Sequence, residues 1–143
     1  MNIYVRMQDN DLCKYLSSEQ CACLSTHSQV FDCPASASIL APGSEPEGFI
    51  ILQSGELEIV NAVNRTIGSI FPGEIFGEIA FMGIRMPDMG ITSVKPSSYQ
   101  VLPFSVIHSL IMSDDALAAR IMAAINDSLC LKTIHLTHHR NHG

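Results

Sequence analysis

The stretch that decides the fold is Phe71-Pro72-Gly73-Glu74-Ile75-Phe76-Gly77-Glu78-Ile79-Ala80-Phe81-Met82. Strand-forming residues lead into a Pro-Gly turn, and Gly77 then opens a run in which Ile79, Ala80 and Met82 have helical spacing. A helix start preceded by glycine presents backbone N–H groups that lack intrahelical acceptors, and glycine lets an anion approach the backbone closely. Glu78 falls in the first helical turn. An ionised carboxylate only accepts hydrogen bonds, so at this place it can hold a hydroxyl pair such as a ribose edge. The alternative is a sheltered turn in which Glu78 merely favours the positive end of the helix dipole.

Outward from this stretch, the chain divides into a broken middle and unbroken ends. Every proline lies between Pro34 and Pro103, and every glycine except Gly143 lies between Gly43 and Gly90. Proline breaks helix interiors and glycine weakens them, so long helices belong to residues 1–33 and 104–142. The middle holds short β-capable runs at Gln29–Asp32, Ser38–Ala41, Phe49–Gln53, Glu56–Asn61, Arg65–Ile70, Ile91–Val94 and Tyr99–Leu102. Turn residues separate them at Pro42-Gly43, Ser54-Gly55, Asn61–Asn64, Pro72-Gly73 and Lys95–Ser98. A strand and turn every roughly 8 to 12 residues marks an antiparallel sandwich or barrel. Leu57 and Ile59 alternate with Glu56 and Glu58, which gives that strand one wet face, whereas Phe49-Ile50-Ile51-Leu52 is apolar on both faces and belongs at the centre of a sheet.

The ends read as helices. Ser17 followed by Gln20 is a capping-box pattern, and with Cys21 and Leu24 it predicts a helix over about residues 17–26. Phe104, Ile107, Leu110 and Ile111 predict a short helix after Pro103. Ser113-Asp114-Asp115 then supplies an N-cap for a longer one, running to about Thr137 with Leu117, Ile121, Ile125 and Leu129 at i+4. At ~1.5 Å per residue this helix spans on the order of 35 Å, more than a small barrel needs for cover, which implies a partner helix.

Ile39–Gly43, then Gly48–Val60, then Phe71–Ala80 together resemble the cyclic nucleotide-binding domain of catabolite activator proteins and protein kinase A regulatory subunits. The resemblance covers about residues 12–137. It implies a mainly β fold with helices: an eight-stranded β-roll of jelly-roll type, a double-stranded β-helix, flanked by an N-terminal helix and two C-terminal helices. It also implies that the last of these helices pairs in a dimer coiled coil, and that the ligand is cAMP or cGMP. In the family the glutamate of Phe-Gly-Glu binds the ribose 2′-hydroxyl and the amides after it hold the cyclic phosphate, which maps onto Phe76, Gly77, Glu78, Ile79 and Ala80. A later arginine, in a Pro-Arg-Ser-Ala-Thr-like pattern, neutralises the phosphate. This chain has Pro87-Asp88-Met89-Gly90-Ile91-Thr92 there, so Asp88 or Met89 stands in the arginine's place and Thr92 matches the threonine. Losing one charge-assisted hydrogen bond weakens binding about ten- to a hundredfold, and Asp88 adds repulsion. Arg85, on a glycine-flanked loop, can fold back to replace the charge or stay solvated. Met82, Met86 and Met89 can line the pocket, closing it or fitting a less charged ligand.

The remaining totals narrow the class. With 47% hydrophobic and 15% charged residues the chain is too apolar for disorder, yet no run reaches the ~18 apolar residues of a membrane span. Eight basic against fourteen acidic residues give a net charge of −6, the wrong sign for nucleic acid. The N-terminus lacks the pattern of a secretory signal, so a cytoplasmic location is expected. Cys13, Cys21, Cys23, Cys33 and Cys130 match no zinc or iron–sulfur spacing and read as packed thiols, with a thiol sensor as the alternative. His135, His138, His139 and His142 form either a metal-capable helix face or a polar tail. No Ser-His-Asp set, HExxH or P-loop occurs, so no enzyme is expected. The chain reads as one domain over 1–143, with a helical lead to residue 28, a β-roll over 29–103, helices over 104–137 and a tail. The expected function is a stand-alone regulatory module, homodimeric through residues 114–137, with weakened cyclic nucleotide binding. The alternatives are a true receptor using Arg85 and a protein-interaction scaffold with a filled pocket.

Overall fold

The structure, a computed structural model, describes residues 10–85 and 88–142, with side chains through Leu129. Met86, Cys130 and the histidines after it, each singled out above, lie outside the residues or side chains described.

The first helix, α1 (Ser18–Thr26), begins where the sequence puts it. Ser17 Oγ accepts from the Gln20 amide at 3.1 Å, Gln20 Oε1 accepts from the Ser17 amide at 2.9 Å, and Cys21 and Leu24 are buried beneath. The strands that follow are β1 (Gln29–Cys33), β2 (Ser38–Leu40), β3 (Gly48–Ser54), β4 (Leu57–Val60), β5 (Thr66–Ile70) and β6 (Ile75–Phe76). The short helix α2 (Glu78–Phe81) precedes β7 (Gly90–Ser93) and β8 (Ser97–Pro103), and α3 (Phe104–Ser113) and α4 (Asp115–His142) end the chain. The strands pair antiparallel in two four-stranded sheets, ordered β1-β8-β3-β6 and β2-β7-β4-β5.

Strand β3 explains the layering. Phe49 and Ile51 face the helices, in a cluster with Ile75, Leu102, Ile107, Leu117, Ile121 and Ile125. Ile50 and Leu52 point the other way, into the roll, with Leu57, Ile59, Ile70 and Ile91. A strand apolar on both faces is thus buried between two cores, as its sequence predicts. Strand β6 is absent from the sequence reading because two residues between turn signals carry no periodicity. Residues Ser97 and Ser98, read as turn, belong to β8, where they pair with Cys33 and Asp32.

Helix α4 is capped by Asp114, whose Oδ1 accepts from the amides of Ala116 and Leu117, both at 3.1 Å. Its apolar stripe differs in use from the expectation of a partner helix. Leu117, Ile121 and Ile125 are buried in the domain's own core. The chain before α1 closes over the same core with Leu12 and Cys13. Burial, with Cys21 beside it, pushes the Cys13 thiol well up, and burial also raises Cys21, so both stay protonated packing groups. Cys23 is exposed. Polar contacts add to this docking: Lys14 Nζ lies 3.0 Å from Asp127, Tyr15 donates to the same carboxylate, and Arg120 donates to Gln20 at 3.1 Å. Among the described residues no helix is long and apolar enough to cross a membrane.

Candidate functional site

The link between β6 and β7 carries the residues singled out from sequence. Gly77 has φ 123° and ψ 0°, a backbone conformation that favours glycine. A Cβ there would sit 3.1 Å from the Gly48 carbonyl and 3.3 Å from the Phe104 ring, so glycine also allows α2 to lie close against β3 and α3. Phe81 fixes the other end of α2, with ring centroids 5.2 Å from Phe49 and 5.6 Å from Phe104, and a stack on His108 at 4.7 Å. Between them Glu78 is only 2% exposed, and its Oε2 accepts from the Ser128 hydroxyl of α4 at 2.6 Å. Ile79 and Ala80 are half-buried.

The other candidates are dispersed. Phe76 and Met89 pack on the apolar interior of the roll, Met89 at 9% exposure. Asp88 is exposed. Thr92 alternates with the inward Ile91 and so lies on the outer face of its sheet opposite Glu58, which accepts from Thr66 at 3.1 Å. Arg85 is exposed and its Nε donates to Glu45 Oε1 at 3.2 Å. The structure therefore places Phe76 and Met89 in the roll interior and Gly77 beside the buried Glu78, while Arg85 and Asp88 are exposed and Thr92 lies on the outer face of its sheet.

A cavity of about 500 Å³ opens between β1, β8 and β3 on one side and β2 on the other. Phe31 and Tyr99, register partners, stack within its wall with centroids 5.5 Å apart, and Glu45 and Glu47 of the β2–β3 loop lie at its edge. Burial, more than the nearby Cys33, raises the Tyr99 phenol and keeps it protonated. None of these residues stood out in the sequence, because the pairing of Phe31 with Tyr99 joins positions far apart in the chain. Ser128 was missed too, although its place three residues after Ile125 on the buried stripe marks it as an inward polar group.

The fold and the β6–β7 link together define a class of β-roll, and the comparisons make the class specific. Residues 31–114 match the cyclic nucleotide-binding domain family, and the chain belongs to it. A cyclic nucleotide-binding domain from Methylobacillus flagellatus superposes with a TM-score of 0.77 at 16% identity, over 94% of this chain and 84% of that one. The sensor domain of the transcriptional regulator DNR from Pseudomonas aeruginosa gives 0.69 at 19%, over 86% and 90%. Catabolite activator protein of Thermus thermophilus gives 0.71 at 19%, over 90% of this chain but only 62% of its own length. At such identities these likenesses speak for the fold alone. No curated protein matches the sequence.

Proposed function

We propose that the chain is a non-enzymatic, cytoplasmic regulatory module in which occupancy of the β-roll biases the α3–α4 unit, and that it binds cAMP and cGMP weakly or not at all. The observation that carries the second half is Met89. The resemblance puts Asp88 or Met89 where the family's arginine neutralises the phosphate; Asp88 is exposed, and Met89 is a thioether packed into the apolar interior. Without the cation, a buried cyclic phosphate loses roughly 1.5 to 3 kcal/mol, about ten- to a hundredfold in affinity. The Glu78 carboxylate, the family's ribose acceptor, is engaged by Ser128, so a ribose would have to compete with α4 for it.

The same bond supports the first half. It ties α2 to α4 directly, so displacing α2 strains or releases α4. Asp114, with extended backbone at φ −149° and ψ 106°, separates α3 from α4 and is the place for a hinge, next to Met112-Ser113. A homodimer through residues 114–137 remains part of the reading, although Leu117, Ile121 and Ile125 of that stretch are used within the domain.

The rival is a true receptor in which Arg85 leaves Glu45 for a phosphate. Calorimetric titration of cAMP and cGMP into the protein and its Arg85→Ala variant separates the two. The proposal expects no micromolar binding by either; micromolar binding that the variant abolishes establishes the rival.

A further inference from the structure

We infer that the cavity between β1 and β2 is a site for a small cation with an apolar body, an alkyl- or arylammonium. Its volume, about 500 Å³, falls within the range of small-molecule sites. Phe31, Tyr99, Ile39, Leu40 and Val101 give it aromatic and aliphatic walls. The carboxylates at its edge are Glu45, which is paired with Arg85, and Glu47, both exposed; His27 also lines it, and among the described residues no lysine or arginine does. An anion entering would meet two carboxylates in a chain already at −6. An ammonium would meet the carboxylates at the mouth, and its apolar body the rings of Phe31 and Tyr99 in the wall. Such a ligand places its charge at the mouth and its body inside.

Among the described residues of the family segment between Phe71 and Thr92 none lines the site, although Phe76 and Met89 pack in the same roll interior as its Ile39, Leu40, Ile50, Tyr99 and Val101. The site is coupled to that segment through Arg85. Arg85, which follows α2, donates from its Nε to Glu45 Oε1 at 3.2 Å, so an ammonium at Glu45 displaces the Arg85 guanidinium. The inference goes beyond the regulatory reading and stands without it: cation binding that leaves α4 unmoved would overturn only the proposed response of α4.

The test uses three probes with one body, 2-phenylethylammonium, 2-phenylethanol and phenylacetate, titrated into isotope-labelled full-length protein and followed by amide shifts in β1, β8 and the β2–β3 loop. The expected result is saturable binding of the ammonium, about tenfold weaker binding of the alcohol, and none of phenylacetate. Glu47→Gln and Glu45→Gln, at exposed positions that leave the core intact, each weaken the ammonium several-fold. Arg85→Ala tightens it, because Glu45 loses its competitor. Equal binding of the three probes, preference for phenylacetate, indifference to both glutamate variants, or no binding at all overturns the inference.

Discussion

At the scale of single residues, the Glu78–Ser128 bond is the contact most open to test. Both side chains are buried, at 2% and 3% exposure, so removing the hydroxyl takes a hydrogen bond from a carboxylate in a dry place. Ser128→Ala is expected to cost about 1.5 to 3 kcal/mol in urea unfolding, whereas Ser113→Ala, at an exposed helix end, costs less than about 1 kcal/mol. Equal effects of the two would remove the special standing of the buried pair. Half of this pair was legible in sequence. Glycine before a helix start marks Glu78, since local backbone chemistry fixes what stands beside Gly77. Its partner is fifty positions away, and which of α4's faces turns inward to Glu78 is settled by packing. Met89 shows the same division: its departure from the family pattern is visible in sequence, but its burial depends on the strands that surround it.

Elements carry longer-range consequences. Helix α4 is held to the body by an apolar stripe and by polar contacts near its middle. Ile121 is fully buried, and Ile121→Ala is expected to cost about 2 to 5 kcal/mol, read as a lower thermal midpoint. The Asp127 carboxyl is kept below the ordinary carboxylate range, first by the Tyr15 hydroxyl and then by Lys14. A depressed carboxyl contributes stability that is fully present above its unfolded value and is lost as pH falls through the folded value. The contact between the segment before α1 and α4 therefore weakens in acid. A carbon-detected NMR titration of Asp127 should show a midpoint below that of an exposed aspartate, moved upward by Lys14→Ala; an ordinary midpoint insensitive to that variant contradicts the contact. The elements themselves were largely readable. Glycine and proline placement, strand spacing and capping residues give α1, α3, α4 and seven of the strands, because each depends on neighbours in the chain. The use of the α4 stripe did not follow, since an apolar face has the same spacing whether it covers its own roll or a second copy.

For the molecule as a whole, the roll has a buried apolar interior and two places where chemistry gathers: the α2 segment joined to α4, and the cavity edged by Glu45 and Glu47. A homodimer through residues 114–137 predicts a mass in sedimentation of twice one chain; a single-chain mass for the full protein contradicts it. The central claim, that this member of the family lacks the means to hold a cyclic phosphate, has a more direct test. Isotope-labelled protein titrated with cAMP up to millimolar concentration reports on the amides of Ile79 and Ala80. The account predicts no saturable shift of either amide at micromolar cAMP. Saturation there in the micromolar range, abolished by Arg85→Ala, would contradict it.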